Sequence, residues 1–340
     1  MHQSAFLRAL ADIGGHKVTL VVASKAEVGR DKQGWQEPDF GKCEVIVSPS
    51  YEQLHSLVEM PDAVHVFTGM CAFPMVEQAF RYSCGIQDLR RMIYSEPWRD
   101  DGWRGFLRGF RYRWLAWQFA DKVEAFLLTG KLGVESYVKA GFPRDKCHEW
   151  GYFTEMPDIT PIPELPHEHK VPRLIFIGTW DVRKNILALV RALKSISLPF
   201  ECLLLGDGYL RPDVEAVTEG DVRFRLVGNV PNTQIGGWLS ACDVLVLPSV
   251  FDGWGAVVNE ALLCGTRALL SDRCGAASLI VSPEHGEVFP LSEIKQALES
   301  QIKLGLQTNE ARERLRQWAI EHISGKAVVH RFLDICGIKQ

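Results

Sequence analysis

"PSVFDGWGAVVNEALLCGT", Pro248 to Thr266, sets Asp252 and Glu260 eight residues apart around Gly253-Trp254-Gly255. Just before it, Asp243-Val244-Leu245-Val246-Leu247 is a short apolar run with β-branched content, which predicts a strand. From Ala256 to Cys264 apolar residues recur three and four apart, which predicts a helix. Strand, glycine turn and helix together make an anion-receiving geometry. The glycines let a ligand approach the backbone, and the amides that open a helix carry partial positive charge.

Outward from this turn the same alternation continues. Strands are expected at Leu174–Ile177, Glu201–Leu205, Arg223–Val227 and Arg267–Ser271, with helices at Asn185–Leu193 and Thr233–Ala241. The first half opens on a helix pattern (Phe6, Leu7, Leu10, Ile13), is punctuated by Gly14-Gly15, and gives a strand from Lys17 to Ala23. Further apolar runs follow at Glu44–Val47, Ala63–Thr68 and Met92–Ser95. Between them, the proline-rich stretch Thr154–Pro172 interrupts all periodicity and reads as a semi-extended linker.

The expected fold class is therefore α/β, with two Rossmann-like doubly wound domains in tandem. They are placed at 1–155 and 173–320 around a linker at 156–172. A C-terminal helix within 321–340 is expected to pack back on the first domain. In such sheets ligands bind outside the carboxyl ends of the strands, so the cleft between the domains is the expected site.

Composition agrees and narrows the partners. With 340 residues, 46% hydrophobic and 24% charged, the chain can bury two cores. A net charge of -4 gives no global pull toward nucleic acid. The 9 cysteines are an odd number without a CxxC pair, and several fall in apolar patterns, as small buried thiols do. A reduced, cytoplasmic setting is the expectation. No run approaches the roughly 20 apolar residues of a membrane span, and the start lacks a signal-peptide pattern.

Three more strand ends carry chemistry. "FIGTWDVRKN", Phe176 to Asn185, ends a strand on Gly178 and places Arg183 and Lys184 at a helix start. There a planar fork and a compact point charge suit a diphosphate. "LLLGDGYL" ends a strand on Gly206, and "LVGNV" ends another at Gly228, Asn229 and Val230. Either alone is an ordinary tight turn; the convergence of all of them is the signal.

These stretches, together with "SDRCGAA" and more faintly Phe126–Phe153, resemble family 4 glycosyltransferases of the GT-B fold, whose two domains face a central cleft. The correspondence runs from Ile175 to about Ile280. It implies a retaining enzyme that takes a nucleoside-diphosphate sugar, a UDP-sugar as the first expectation. The sugar would pass to a glycan or lipid-linked acceptor in surface polysaccharide biosynthesis. By resemblance, Glu260 accepts from the ribose hydroxyls and Asp252 holds the transferred sugar. Gly253, Trp254, Gly255, Ala256 and Val257 line the donor, with Gly178, Gly206, Gly228, Asn229 and Val230 around it. Arg183 and Lys184 stabilise the departing diphosphate where other transferases use a divalent ion. No Asp-x-Asp element and no His/Cys cluster at metal spacing occurs, so no metal and no cofactor is expected.

Three departures from the family pattern stand out. Asp252 replaces a Glu and is shorter by about 1.5 Å. Gly265-Thr266-Arg267-Ala268 replaces Gly-x-Pro-Val. The usual first strand and its glycine loop are absent, with His2-Gln3 in the middle of the family's first helix: either the chain is a shortened form, whose N-terminal sheet would lack a strand, or the start lies upstream. Where relatives have a cleft-facing His, this chain has Glu96, a candidate contact for the donor sugar or the acceptor nucleophile. His16 and His65 read as structural. A sugar-nucleotide epimerase and a catalytically silent nucleotide-sugar binding protein are the alternatives.

"WRDDGWRGFLRGFRYRWLAWQFADK", Trp98 to Lys122, is the other informative stretch. At 100° per residue, Arg104, Arg108 and Arg111 gather on one face, with Phe106, Leu107, Phe110, Trp114 and Trp117 opposite. Two readings follow: a basic aromatic helix in peripheral contact with an anionic membrane on the cytoplasmic face, or a helix packing its aromatics on the N-terminal sheet. Gly105 and Gly109 argue against a regular helix in either case.

Overall fold

A computed structural model describes residues 3–13, 16–24, 38–165 and 169–338. The chain divides into two compact units, one from the described residues of 1–6, 28–39 and 153–328, the other from those of 7–27, 40–152 and 329–340. The opening helix α1 (Ser4–Ile13) contributes to both. Its first turn belongs with the second half of the sequence, where Ser4 Oγ donates to Glu155 Oε1 at 3.0 Å and Phe6 packs on Phe153.

The smaller unit contains β1 (Thr19–Val22), β2 (Glu44–Val47), α2 (Tyr51–Val58), β3 (Val64–Thr68), α3 (Pro74–Ser83), β4 (Arg90–Ser95), α4 (Gly102–Phe119), β5 (Ala125–Thr129), α5 (Gly130–Lys139) and β6 (Cys147–Trp150). All its strand pairs are parallel, but they form two sheets, β1-β2 and β3-β4-β5-β6. Among the described residues no ladder joins the two. The core lies between β3–β5 and helices α2–α5, around Phe80, Ile93, Leu115, Phe126 and Tyr137. α4 is a regular helix of 18 residues in spite of its glycines. Gly105 is required: a Cβ there would lie 2.1 Å from the backbone of Asp100, so the preceding loop crosses the helix at that point.

The larger unit holds β7 (Arg173–Ile177), α6 (Ile186–Lys194), β8 (Glu201–Leu205), α7 (Arg211–Thr218), β9 (Phe224–Gly228), α8 (Ile235–Ser240), β10 (Val244–Leu247), α9 (Val257–Leu263), β11 (Arg267–Ser271), β12 (Gly286–Phe289), α10 (Ile294–Leu304) and α11 (Asn309–Ile323). Its six strands are parallel in the order β12-β11-β10-β7-β8-β9. From β7 the chain winds outward through β8 and β9, then returns to β10 and winds the other way. The order reverses between β7 and β10, where a doubly wound sheet opens its ligand crevice. Strands buried on both faces need near-continuous apolar sequence, and β10 (VLVL) is buried at every position.

Two expected boundaries change. The proline-rich stretch is not a free linker: Ile162 and Leu165 are buried, and Arg225 donates to Glu164 O at 3.1 Å. The expected helix within 321–340 is two elements. α11 ends at Ile323, and α12 (Val329–Ile335) lies in the smaller unit, where Phe332 packs on Trp150 and the Cys336 thiol meets Met92. His2 lies outside the described residues.

Candidate functional site

The loops after β7 and β10 are fastened to each other at the switch point. Val250 N donates to Arg183 O at 2.9 Å, and Asn185 Nδ2 donates to Pro248 O at 3.1 Å. Asn185 sits in the left-handed region (φ 59), a conformation that Asn tolerates better than most side chains. Asp181 closes the turn from below, its Oδ1 accepting from Lys184 N at 2.7 Å. The result is a fixed position for two cations. Lys184 Nζ meets Asp252 Oδ2 at 2.5 Å, and Arg183 Nη1 lies 3.6 Å from the same oxygen. Lys184 and Asp252 are nearly buried, while Arg183 keeps one side to solvent.

The turn that holds Asp252 is tied to the loop after β11. Asp252 N donates to Arg273 O at 3.0 Å, Gly275 N to Asp252 O at 3.0 Å, and Ala276 N to Trp254 O at 2.9 Å. Trp254 is only 2% exposed and its Nε1 donates to Asn259 Oδ1 at 2.7 Å. Its indole therefore holds the turn closed, and the part of Trp254 left for a ligand is its backbone. Gly255 takes φ 96, and the amides of Ala256 and Val257 precede the first bond of α9, Val258 N to Gly255 O.

Glu260 differs from Asp252 in every respect. It stands on α9, partly exposed at the residue level, yet enough protein surrounds its carboxyl that burial raises its pKa to about 7. Among the described residues no group donates a hydrogen bond to that carboxyl. A desolvated acid without a partner is a group prepared for hydroxyl donors.

The three remaining strand ends line up beside the switch point. Gly178 N donates to Leu205 O at 3.2 Å and Gly206 N to Gly228 O at 2.8 Å. Gly206 takes φ 114, and a Cβ there would lie 2.0 Å from Gly178 O, so only glycine lets the two loops touch. Asn229 is exposed and Val230 half-buried. Trp180 is buried beneath these loops with Arg211 over its ring at 5.1 Å.

Arg183, Lys184 and Asp252 are thus joined by ion pairs, and Gly178, Gly206 and Gly228 by backbone hydrogen bonds directly or through β8, all within one unit. The sequence reading gave Asp252 and the two cations separate tasks; the structure makes them one ion cluster. Glu96 lies in the other unit, after β4, and accepts a hydrogen bond from Tyr152 Oη. The residues that reading missed are Asp181, Asn185 and Asn259. Only Asn185, next to the Arg-Lys pair, carried a signal, as a residue type suited to the left-handed conformation.

Residues 171–307 match the family "Glycosyl transferases group 1". The matched segment covers the β7–β12 sheet and the whole ion cluster. The 2-deoxystreptamine glucosyltransferase of Streptomyces kanamyceticus is 31% identical over 182 residues, 49% of this chain and 46% of that protein. The chain thus matches under half the length of that relative. Among solved structures, the apo lipopolysaccharide outer core galactosyltransferase WaaB aligns with a TM-score of 0.69 at 13% identity, covering 96% of this chain and 100% of that one. Anabaena HepE in complex with UDP and glucose aligns with a TM-score of 0.63 at 12% identity, covering 95% and 100%. These likenesses establish the expected GT-B fold class.

Proposed function

We propose that the protein transfers a sugar from a nucleoside-diphosphate donor, a UDP-sugar first, to a saccharide or lipid-linked saccharide in glycan biosynthesis. The observation that carries this is the Arg183–Lys184–Asp252 cluster fixed at the switch point of the group 1 sheet. In the reaction the bond between the anomeric carbon and the β-phosphate oxygen breaks, and an acceptor hydroxyl oxygen bonds to that carbon. The hydroxyl proton ends on the released diphosphate or in solvent. Charge develops on the departing phosphate, where preorganised donors lower the barrier most. Lys184, held in place by Asp252, and the more open Arg183 donate to that phosphate. Glu260 receives the ribose hydroxyls. Retention of configuration and independence from metal come to this reading from the family resemblance, and the UDP preference is supported by the ligand in the HepE structure.

The test is a screen of UDP-, GDP- and ADP-sugars by thermal shift, followed by assay of diphosphate release with saccharide acceptors in the presence of a chelator. A donor at 100 times its dissociation constant stabilises by about 2.7 kcal/mol. Stabilisation by one nucleotide class with acceptor-dependent diphosphate release is expected. Donor bound but never consumed, or no donor bound at all, would overturn the reading.

A further inference from the structure

Helix α4 packs on its unit with one side only. Gly105, Leu115, Ala116 and Phe119 are buried, Phe119 edge-on to Phe80 at 5.0 Å, and Tyr112 is stacked under Trp98 at 3.8 Å. The other side carries Trp103, Phe106, Leu107, Phe110, Trp114 and Trp117, all exposed, from 48% at Trp114 to 83% at Trp117. At 100° per residue these six fall in an arc of about 100°, directly opposite the buried face. They run for about 21 Å along the helix. Arg104, Arg108 and Arg111 flank the arc on one side and Arg113 on the other. The 18 residues of the helix include no Asp or Glu. The aromatics thus face out, which removes the packing alternative, and the arginines border the aromatic stripe instead of opposing it.

We propose that α4 docks the protein on an anionic membrane surface, lying in the plane of the headgroups with its rings among the upper acyl chains. Charge complementarity selects this occupant. Four guanidinium groups along the edges of an apolar stripe match a layer that is apolar below and anionic at the level of those edges. Arg104 lies 5.4 Å from the Trp103 ring and Arg113 5.7 Å from the Phe110 ring, so each charge travels with an inserting ring. A second copy fits less well, because apposed α4 helices would set arginines against arginines with no acid on the helix to offset them. The inference is independent of the donor reading and stands whatever sugar is moved.

The experiment is co-sedimentation of the full chain with vesicles of phosphatidylcholine alone or with about 30% phosphatidylglycerol, beside thermal melts. Wild type is expected to bind the anionic vesicles at least tenfold more tightly, and less so as salt rises. Arg104→Glu/Arg108→Glu/Arg111→Glu and Trp103→Ser/Phe106→Ser/Trp117→Ser should each lose about tenfold or more. Both should melt like wild type, since the sites are exposed. Arg104→Lys/Arg108→Lys/Arg111→Lys, which keeps the charge, should bind like wild type. Equal binding to both vesicles, no binding, or charge-reversed protein that pellets like wild type would overturn the proposal. So would a concentration-dependent dimer that the serine variant dissolves, which would make the stripe a self-association surface.

Discussion

The turn after β10 and the outer face of α4 break the usual rule of inside and outside in opposite directions. The turn encloses charge: Lys184 and Asp252 are nearly buried, paired at 2.5 Å and framed by backbone bonds from three loops. The helix exposes rings: Trp103 is 68% and Trp117 83% exposed. A buried charge and an exposed apolar stripe are the two observations that ordinary folding does not require. Each costs stability where it stands, and each points to something that binds there. They differ in how they are held. The charged turn is fixed from all sides, as a group that must meet a reacting atom has to be. The stripe is held from one side, which suffices for a surface that adapts to its partner.

The sharpest way to break this contrast is a pair of adjacent substitutions in α4. Leu115 is 1% exposed and lies in the core with Phe119 and Phe126, whereas Trp114 is 48% exposed. Leu115→Ala should cost about 2 to 5 kcal/mol, as lost burial plus a cavity. Trp114→Ala, though it removes the larger side chain, should stay within about 0.5 kcal/mol. Denaturant melts of both variants measure this. A large loss at Trp114 would mean that the stripe is covered in the folded protein and would undo the comparison.

The second prediction concerns the enclosed charge. Lys184→Ala should lower turnover about 100-fold, or roughly 2.7 kcal/mol of barrier, because the departing phosphate loses a fixed donor. The protein should still fold, since Arg183 remains 3.6 Å from Asp252. Asp252→Asn should lower turnover too, because Lys184 then loses the carboxylate that orients it. Steady-state kinetics with the donor found by the screen, read beside circular dichroism, checks both. Undiminished turnover in Lys184→Ala would make the pair a structural ion pair only.

How far the sequence foretold this follows from what each feature depends on. Strand-glycine-helix alternation is local, so five of the six strands of the larger unit, all but β12, the convergence of Gly178, Gly206 and Gly228, and the Arg183-Lys184 position were readable. The bond between Lys184 and Asp252 joins residues 68 apart and depends on β7 and β10 being neighbours, which periodicity does not state. The bond by which Trp254 holds its turn was not readable, because nothing local shows Asn259 accepting the indole N–H. In α4 the helical spacing was visible, but spacing alone left open whether the rings face the sheet or face out. The inward face mixes Gly105, Leu115, Ala116 and Phe119, with Gly105 where the Asp100 backbone crosses the helix.

The smallest expected effect lies at Glu260, and it sharpens the contrast between a charge already paired and one left open. Burial raises this carboxyl to about 7 in the folded protein, against roughly 4.3 in an unfolded chain. Between these values the unfolded chain has released its proton and the folded one keeps it. Stability therefore falls as pH rises through this window and is level beyond it on either side. Glu260→Gln cannot titrate, so this slope should disappear and the variant should gain on wild type above about pH 7. The gain should be on the order of 1 kcal/mol once partial exposure is allowed for. Binding gives the complementary readout. Uridine, which carries no phosphate to titrate, offers two ribose hydroxyl donors that favour the carboxylate. Its affinity for wild type should rise as pH passes through 7, with proton release, and should be flat for the Gln variant. Calorimetry of uridine at pH 6 and 8 decides it. Equal pH dependence in the two proteins would show that Glu260 does not meet the ribose, and that its lack of a partner has another cause.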